Sequence, residues 1–229
     1  MFPLKDDIPV RRLPIVTIGL IAASVAVFAW QVGWSGSFMG SVMSLGLVPA
    51  DLLAASPLGA LPPVQTIFTS MFAHGSLLHL GSNMLFLWIF GNNVEDAMGR
   101  WRFVVFYLMC GVGAAAAQIA SDPTSTIPMV GASGAIGGVL GAYLLLYPRA
   151  RVLALVPILI FVRLIWIPAV VFLGLWFLFQ IVGGLGSVGG SGGVAFWAHV
   201  GGFVAGFILV KPFVGDDWPA TRPTWSRSW

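Results

Sequence analysis

The chain has 229 residues, of which 58% are hydrophobic and only 8% charged, with a mean hydropathy of +0.95. Soluble domains carry about 25% charged residues, so this composition excludes an ordinary soluble globule and points to several membrane spans rather than a single signal peptide. The net charge of +3 is no nucleic-acid signal, and the single cysteine, Cys110, excludes an intrachain disulfide and a cysteine-based metal site.

In chain order, residues 1–13 form a short polar head with Lys5, Arg11 and Arg12. A first span is expected from Pro14 to Trp34, ending in the interfacial aromatics Trp30 and Trp34. Residues 35–75 are apolar but broken by Gly, Pro and Ser, and read as a partly membrane-embedded loop with short helices. The second span is expected at Ser76–Val94, closed by Glu95 and Asp96, and the third at Phe103–Ser121, closed by Asp122-Pro123. The fourth runs from Ser133 to Tyr147, ahead of Pro148-Arg149. Residues 152–162 are too short to cross and are placed at the interface. A fifth span is expected at Leu164–Val182, then a flexible glycine linker at 183–193. The sixth is expected at Val194–Val210, closed by Lys211-Pro212, and residues 213–229 form a poorly ordered tail.

The expected fold class is therefore an all-α polytopic membrane protein with six transmembrane helices. Residues 14–212 form one domain, with a head at 1–13 and a tail at 213–229. Six spans put both termini on one side of the membrane. All 11 Lys and Arg residues fall on that side, and the three opposite loops hold none. The positive-inside rule makes both termini cytoplasmic.

Spans two, four and six then enter from the outer face, each with polar residues near its start. His79 precedes Glu95 by 16 residues, Ser133 precedes Arg149 by 16, and His199 precedes Lys211 by 12. At about 1.5 Å per residue these sites sit roughly 24, 24 and 18 Å above the inner boundary of a core about 30 Å thick. Polar groups at that depth are costly unless they face a protein interior or a wet cavity. His79 and Asn83, at i and i+4, share one helix face. A serine hydroxyl needs a base, and His199 is the candidate. Asn83, His79 and the backbone N–H of Ser133 are donors for an oxyanion. No Asp or Glu lies within the spans to orient His199, which favours a dyad over a triad.

Taken singly, each residue has a plainer explanation: Ser as packing, His or Asn as a hydrogen bond between helices. His74 divides evenly between a loop contact and a neighbour of the site. Gly131 and Gly134 flank Ser133 in a small-residue turn, and Ala198, Gly202 and Gly206 form a close-packing stripe that seats span six near span four. Depth and direction together favour a site, but one that fits either a protease or a proton-coupled transporter using His79 and His199 as relays.

Three signatures, His79-Leu80-Gly81-Ser82-Asn83, Gly131-Ala132-Ser133-Gly134 and Ala198-His199-Val200-Gly201-Gly202, resemble those of the rhomboid intramembrane serine proteases in order and position over about residues 14–212. The resemblance implies a six-helix rhomboid-like bundle with Ser133 as nucleophile and His199 as general base. It also implies an oxyanion hole of His79, Asn83 and the Ser133 amide. Substrates would be transmembrane helices of other membrane proteins, cut near the outer boundary, with local helix instability and a small residue before the cut favoured. No metal or cofactor is implied, and the compact form resembles prokaryotic members of the plasma membrane. A non-catalytic, rhomboid-like binder of membrane helices is the alternative. Two positions depart from the family pattern. Gly137 stands where many relatives carry an aromatic that stacks on the dyad histidine, and residues 35–75 lack a Trp-Arg pair, Trp101-Arg102 lying on the other side.

Overall fold

The computed structural model describes residues 1–52, 54, 61–158, 161–187 and 194–214. In chain order the elements are β1 (Phe2–Asp6), α1 (Ile15–Gly33), α2 (Phe38–Leu45), α3 (Pro63–Thr69), α4 (Leu77–Phe86), α5 (Asn92–Met98), α6 (Arg100–Ser121), α7 (Ser133–Leu146), β2 (Arg151–Ile158), β3 (Phe161–Pro168), α8 (Ala169–Gly186) and α9 (Phe196–Phe213). A 3-10 turn at Pro49–Leu52 follows α2, and a π turn at Leu87–Gly91 joins α4 to α5. Four helices, α1, α6, α8 and α9, are each long and apolar enough to cross a membrane. Leu77–Met98 is a fifth long helical stretch made of α4, the π turn and α5, and α7 is a shorter apolar helix.

The chain is not all-α. Strands β1, β2 and β3 form an antiparallel sheet in that order. β1 comes from the N-terminal head, with Phe2 opposite Leu155 and Asp6 opposite Val152. β2 and β3 pair antiparallel in a register that runs from Arg151 opposite Pro168 to Ile158 opposite Phe161. Of the segment expected at the interface, residues 152–158 lie in β2 and 161–162 in β3, and the expected fifth span starts too early, since residues 164–168 belong to β3. Hydropathy alone cannot separate Leu164-Ile165-Trp166-Ile167 from the helix that follows. The boundary is Pro168, which ends the strand and stands at the N-cap of α8, where its missing N–H breaks the strand pairing without costing the helix a bond. β2 tolerates Pro157 because its pairing to β1 stops at Leu155, so the missing N–H falls on an unpaired side. Val152 and Ala154, both fully buried, turn one face of the sheet inward.

Two further corrections concern helix ends. The second span continues through Glu95 to Met98. The glycine linker begins later than expected, because Gly183 and Gly184 are in α8. A Cβ on Gly183 would fall 2.5 Å from the Phe196 ring, and one on Gly184 would fall 3.1 Å from the Trp197 ring. These glycines make room for aromatics of α9 rather than supplying flexibility. Residues 188–193 of the linker, and the tail from 215 onward, lie outside the described residues.

Glu95 is 3% exposed and acts as the missing cap of α1, whose own N-cap residue, Pro14, offers no side-chain bond. Its carboxylate accepts hydrogen bonds from Val16 N–H (3.0 Å), Thr17 N–H (2.7 Å) and Thr17 Oγ1 (2.8 Å). A carboxylate there also meets the positive end of the helix dipole. Glu95→Ala strands these buried donors, and is expected to cost roughly 1–3 kcal/mol, read as a lower unfolding midpoint in detergent.

The head is anchored in the same region. Asp6 accepts from Tyr143 Oη (2.5 Å) and Asn93 Nδ2 (2.8 Å), tying β1 to α7 and α5. Desolvation raises the Asp6 carboxyl from 3.8 to about 6, outweighing the Tyr143 hydrogen bond that opposes it. The folded protein therefore keeps this proton between about pH 4 and 6, where the unfolded chain has lost it. Stability from this group falls as pH rises through that window. Melting curves from pH 4 to 7 should show that slope in the wild type and a weaker one in Asp6→Asn.

Helix α7 is the centre of the bundle. Eleven of its 14 residues are buried, and an apolar surface all round is what a central helix requires. Phe90 from the π turn, Tyr143 from α7 and Phe172 from α8 are fully buried together. The Phe90 ring lies 5.0 Å from Tyr143 and 6.3 Å from Phe172. A helix of this length covers about 21 Å, less than the thickness of a hydrocarbon core, so space remains beyond its N-terminus. That space is the site.

Candidate active site

Ser133 is the first residue of α7. The chain reaches it through Gly131, whose φ of +119° is a conformation that residues with a Cβ rarely adopt. A Cβ at Gly131 would also lie 2.6 Å from His79 Nε2 and 3.3 Å from Asn83 Nδ2. Glycine here thus lets two side chains of α4 approach the backbone that leads into Ser133. The same segment is pinned from the other side. Gly131 N–H donates to Ser70 O (2.8 Å), and Leu47 and Met129 exchange two backbone hydrogen bonds of 2.9 and 2.8 Å. Within residues 35–75, Leu47 and Ser70 brace the turn before Ser133.

His199 lies in the first turns of α9. Helices α7 and α9 meet backbone to backbone: a Cβ on Gly202 would lie 1.9 Å from Gly134 O, and one on Gly206 would lie 1.9 Å from Gly138 O. Ala198 also packs at this seam, its Cβ 3.8 Å from the position a Gly134 Cβ would take. Ala198, Gly202 and Gly206 thus face Gly134 and Gly138 of α7. The approach brings His199 Nε2 to 2.7 Å from Ser133 Oγ. The other ring nitrogen, Nδ1, lies 2.8 Å from Gln180 Oε1 on α8.

Ser133, His199, His79 and Asn83 line one cavity of about 810 Å³. Ser133, His79 and His199 are half-buried, so their reactive atoms can meet a ligand, whereas Asn83 is buried. Asn83 Nδ2 has no hydrogen-bond partner. His79 is fixed by the helix start, its N–H donating to the Ser76 side chain (3.1 Å). His74 answers both descriptions offered for it. Its N–H donates to Gln31 Oε1 (3.0 Å), and its ring stands edge-on to His79 at 5.2 Å. Among the described residues no group of three or more His, Cys, Asp or Glu side chains is arranged to hold a metal ion.

A family model described as the Rhomboid domain matches residues 63–215, the stretch that holds all four side chains. The chain belongs to the rhomboid family. Relatives of this rhomboid include Rhomboid protein 1, mitochondrial, of Saccharomyces cerevisiae, 30% identical over 60% of this chain and 38% of its own length. Rhomboid protease GluP of Bacillus subtilis is 34% identical over 65% of this chain and 27% of its own. The human presenilin-associated rhomboid-like protein, mitochondrial, is 32% identical over 58% of this chain and 33% of its own. The match thus spans less than half the length of each of these relatives.

Three side chains at the rhomboid's site escape a search for acids and signatures. Gln180 is the only polar side chain with a hydrogen-bonding amide or hydroxyl in the apolar helix α8, and that isolation was the available signal. Trp176 lies one turn before it, its ring 6.0 Å from that of His199. Gln118, near the end of α6, accepts from Ala198 N–H (3.2 Å) and steadies the start of α9.

Proposed function

We propose that this rhomboid is an intramembrane serine endopeptidase acting on transmembrane helices of other membrane proteins. The observation that carries this reading is the 2.7 Å contact between Ser133 Oγ and His199 Nε2, at the wall of a cavity that also receives His79 and Asn83. Ser133 Oγ attacks the scissile carbonyl carbon while His199 Nε2 takes its proton. The oxyanion is held by Asn83, His79 and the Ser133 N–H, with the dipole of α7 behind it. His199 returns the proton to the leaving amine nitrogen, which departs and leaves an ester on Ser133. Water then attacks the ester carbon, giving a proton to His199, and as the ester C–O bond breaks His199 passes that proton to Ser133 Oγ, freeing the carboxyl product and restoring the dyad.

In the membrane we assign six spans: α1, the α4–α5 stretch, α6, α7, α8 and α9. The sheet end carries the basic residues and faces the cytoplasm, as both termini do. The cavity opens to the outer side of a prokaryotic plasma membrane.

The test is labelling of purified protein by a serine-reactive fluorophosphonate, followed by cleavage of a transmembrane substrate. Labelling that disappears in Ser133→Ala supports an activated serine. A folded wild type that neither labels nor cleaves any of a panel of transmembrane substrates would replace the enzyme with a non-catalytic binder of membrane helices.

A further inference from the structure

We propose that Gln180 is the positioning residue for His199, its side-chain carbonyl accepting the Nδ1 proton and so leaving Nε2 as the atom that takes the Ser133 proton. The proposal rests on the dyad reading above.

A neutral imidazole carries its proton on one nitrogen, and the hydrogen bond made by one nitrogen decides the state of the other. His199 Nδ1 is 2.8 Å from Gln180 Oε1. The amide is not free to turn over, because Gln180 Nε2 donates to Trp176 O (3.2 Å) one turn back. Reversing it would set the Gln180 carbonyl oxygen against Trp176 O. Gln180 Oε1 is thus a fixed acceptor, in a side chain only 5% exposed.

The need for such a residue follows from Gly137. No ring can stack on His199 from α7, because even a Cβ at Gly137 would lie 2.9 Å from His199 O and 3.3 Å from Phe203 N. The close approach of α7 and α9 that brings Ser133 to His199 removes the room for an aromatic between them. Support for the imidazole therefore comes from α8, with Gln180 on Nδ1 and the Trp176 ring at 6.0 Å and 35° to the histidine plane.

A glutamine in an apolar helix can equally be plain helix-to-helix glue, and the pH profile separates the two. The titratable groups on helices packed against α9 are few. α8 has none, α7 has Tyr143, and α6 has Tyr107 and the buried Cys110, with Arg100 and Arg102 at the sheet end. His79 and Asp122 face the shared cavity.

Fluorophosphonate labelling rates would be measured against probe concentration and pH for wild type, Gln180→Leu and Gln180→Glu. Gln180→Leu should lower the maximal rate roughly 10- to 100-fold, by analogy with a metal-bound histidine that loses the partner on its other nitrogen, with the half-saturating probe concentration unchanged. Gln180→Glu should recover most of the rate and move the acidic limb to higher pH, since a carboxylate favours the imidazolium. A Gln180→Leu protein that labels at the wild-type rate, or a Gln180→Glu profile whose acidic limb does not move, overturns the proposal. An independent readout needs no chemistry at Ser133: 15N NMR of histidine-labelled Ser133→Ala, with His199 assigned by its loss in Ser133→Ala/His199→Ala. It should show His199 protonated at Nδ1, and that state should be lost on adding Gln180→Leu. Silence of the folded wild type toward the probe counts against the dyad alone, and the NMR result then decides the role of Gln180.

Discussion

Cleavage of a transmembrane substrate by Ser133→Ala should fall to background, and His199→Ala should fall as far. In a soluble serine peptidase the loss of either partner is on the order of 10^6-fold in kcat. The same logic applies here, because the 2.7 Å contact makes the two side chains one chemical unit. A hydroxyl without its base is a weak nucleophile, and a base without a nucleophile has no proton to take. The two losses should not add, so the double variant should be no slower than either single one. Folding should survive, since both side chains border a cavity and neither fills the core. Single-turnover kinetics with matched unfolding curves would check this. A His199→Ala protein that cleaves at the wild-type rate would assign the base elsewhere.

Asn83→Ala should lower kcat by roughly 10^2- to 10^3-fold, or about 2.7–4 kcal/mol, the usual effect of removing one oxyanion donor. KM should change little, because the donor acts on charge that exists only at the tetrahedral stage. Stability is the discriminating measurement. Asn83 is 6% exposed and its Nδ2 makes no hydrogen bond, so its removal takes away an unpaired buried donor. The unfolding midpoint should therefore stay level or rise. An asparagine that merely held helices together would give the opposite pair of results: lower stability and an unchanged rate.

The two findings about Gly137 and Gln180 show why part of the site could be read from the chain and part could not. Ser133, His199, His79 and Asn83 are conspicuous because each is a polar residue in an apolar helix, where polarity needs a reason. Helical rise alone then put them at similar depth. Gln180 met the same criterion but is neither acid nor signature residue, and only the approach of α8 to α9 makes it the partner of Nδ1. Gly137 is visible as a missing aromatic. That the space for such an aromatic is also missing depends on the backbone contact with His199.

The sequence by itself determined the membrane class and most helix positions, and it picked out four polar side chains that the structure places around one cavity. These follow from local quantities: apolar length, helical period and the cost of burying a polar group. The tertiary structure alone decided the sheet, the role of Glu95 and the contact of Gln180 with His199. Residues 152–168 are apolar enough for either conformation, and their described residues form two antiparallel strands, the first of which also pairs with the head of the chain. Glu95 reads as a helix-ending charge until α1 arrives with bare N–H groups. Each of these outcomes depends on which distant segment supplies the missing partner, and no local pattern records that.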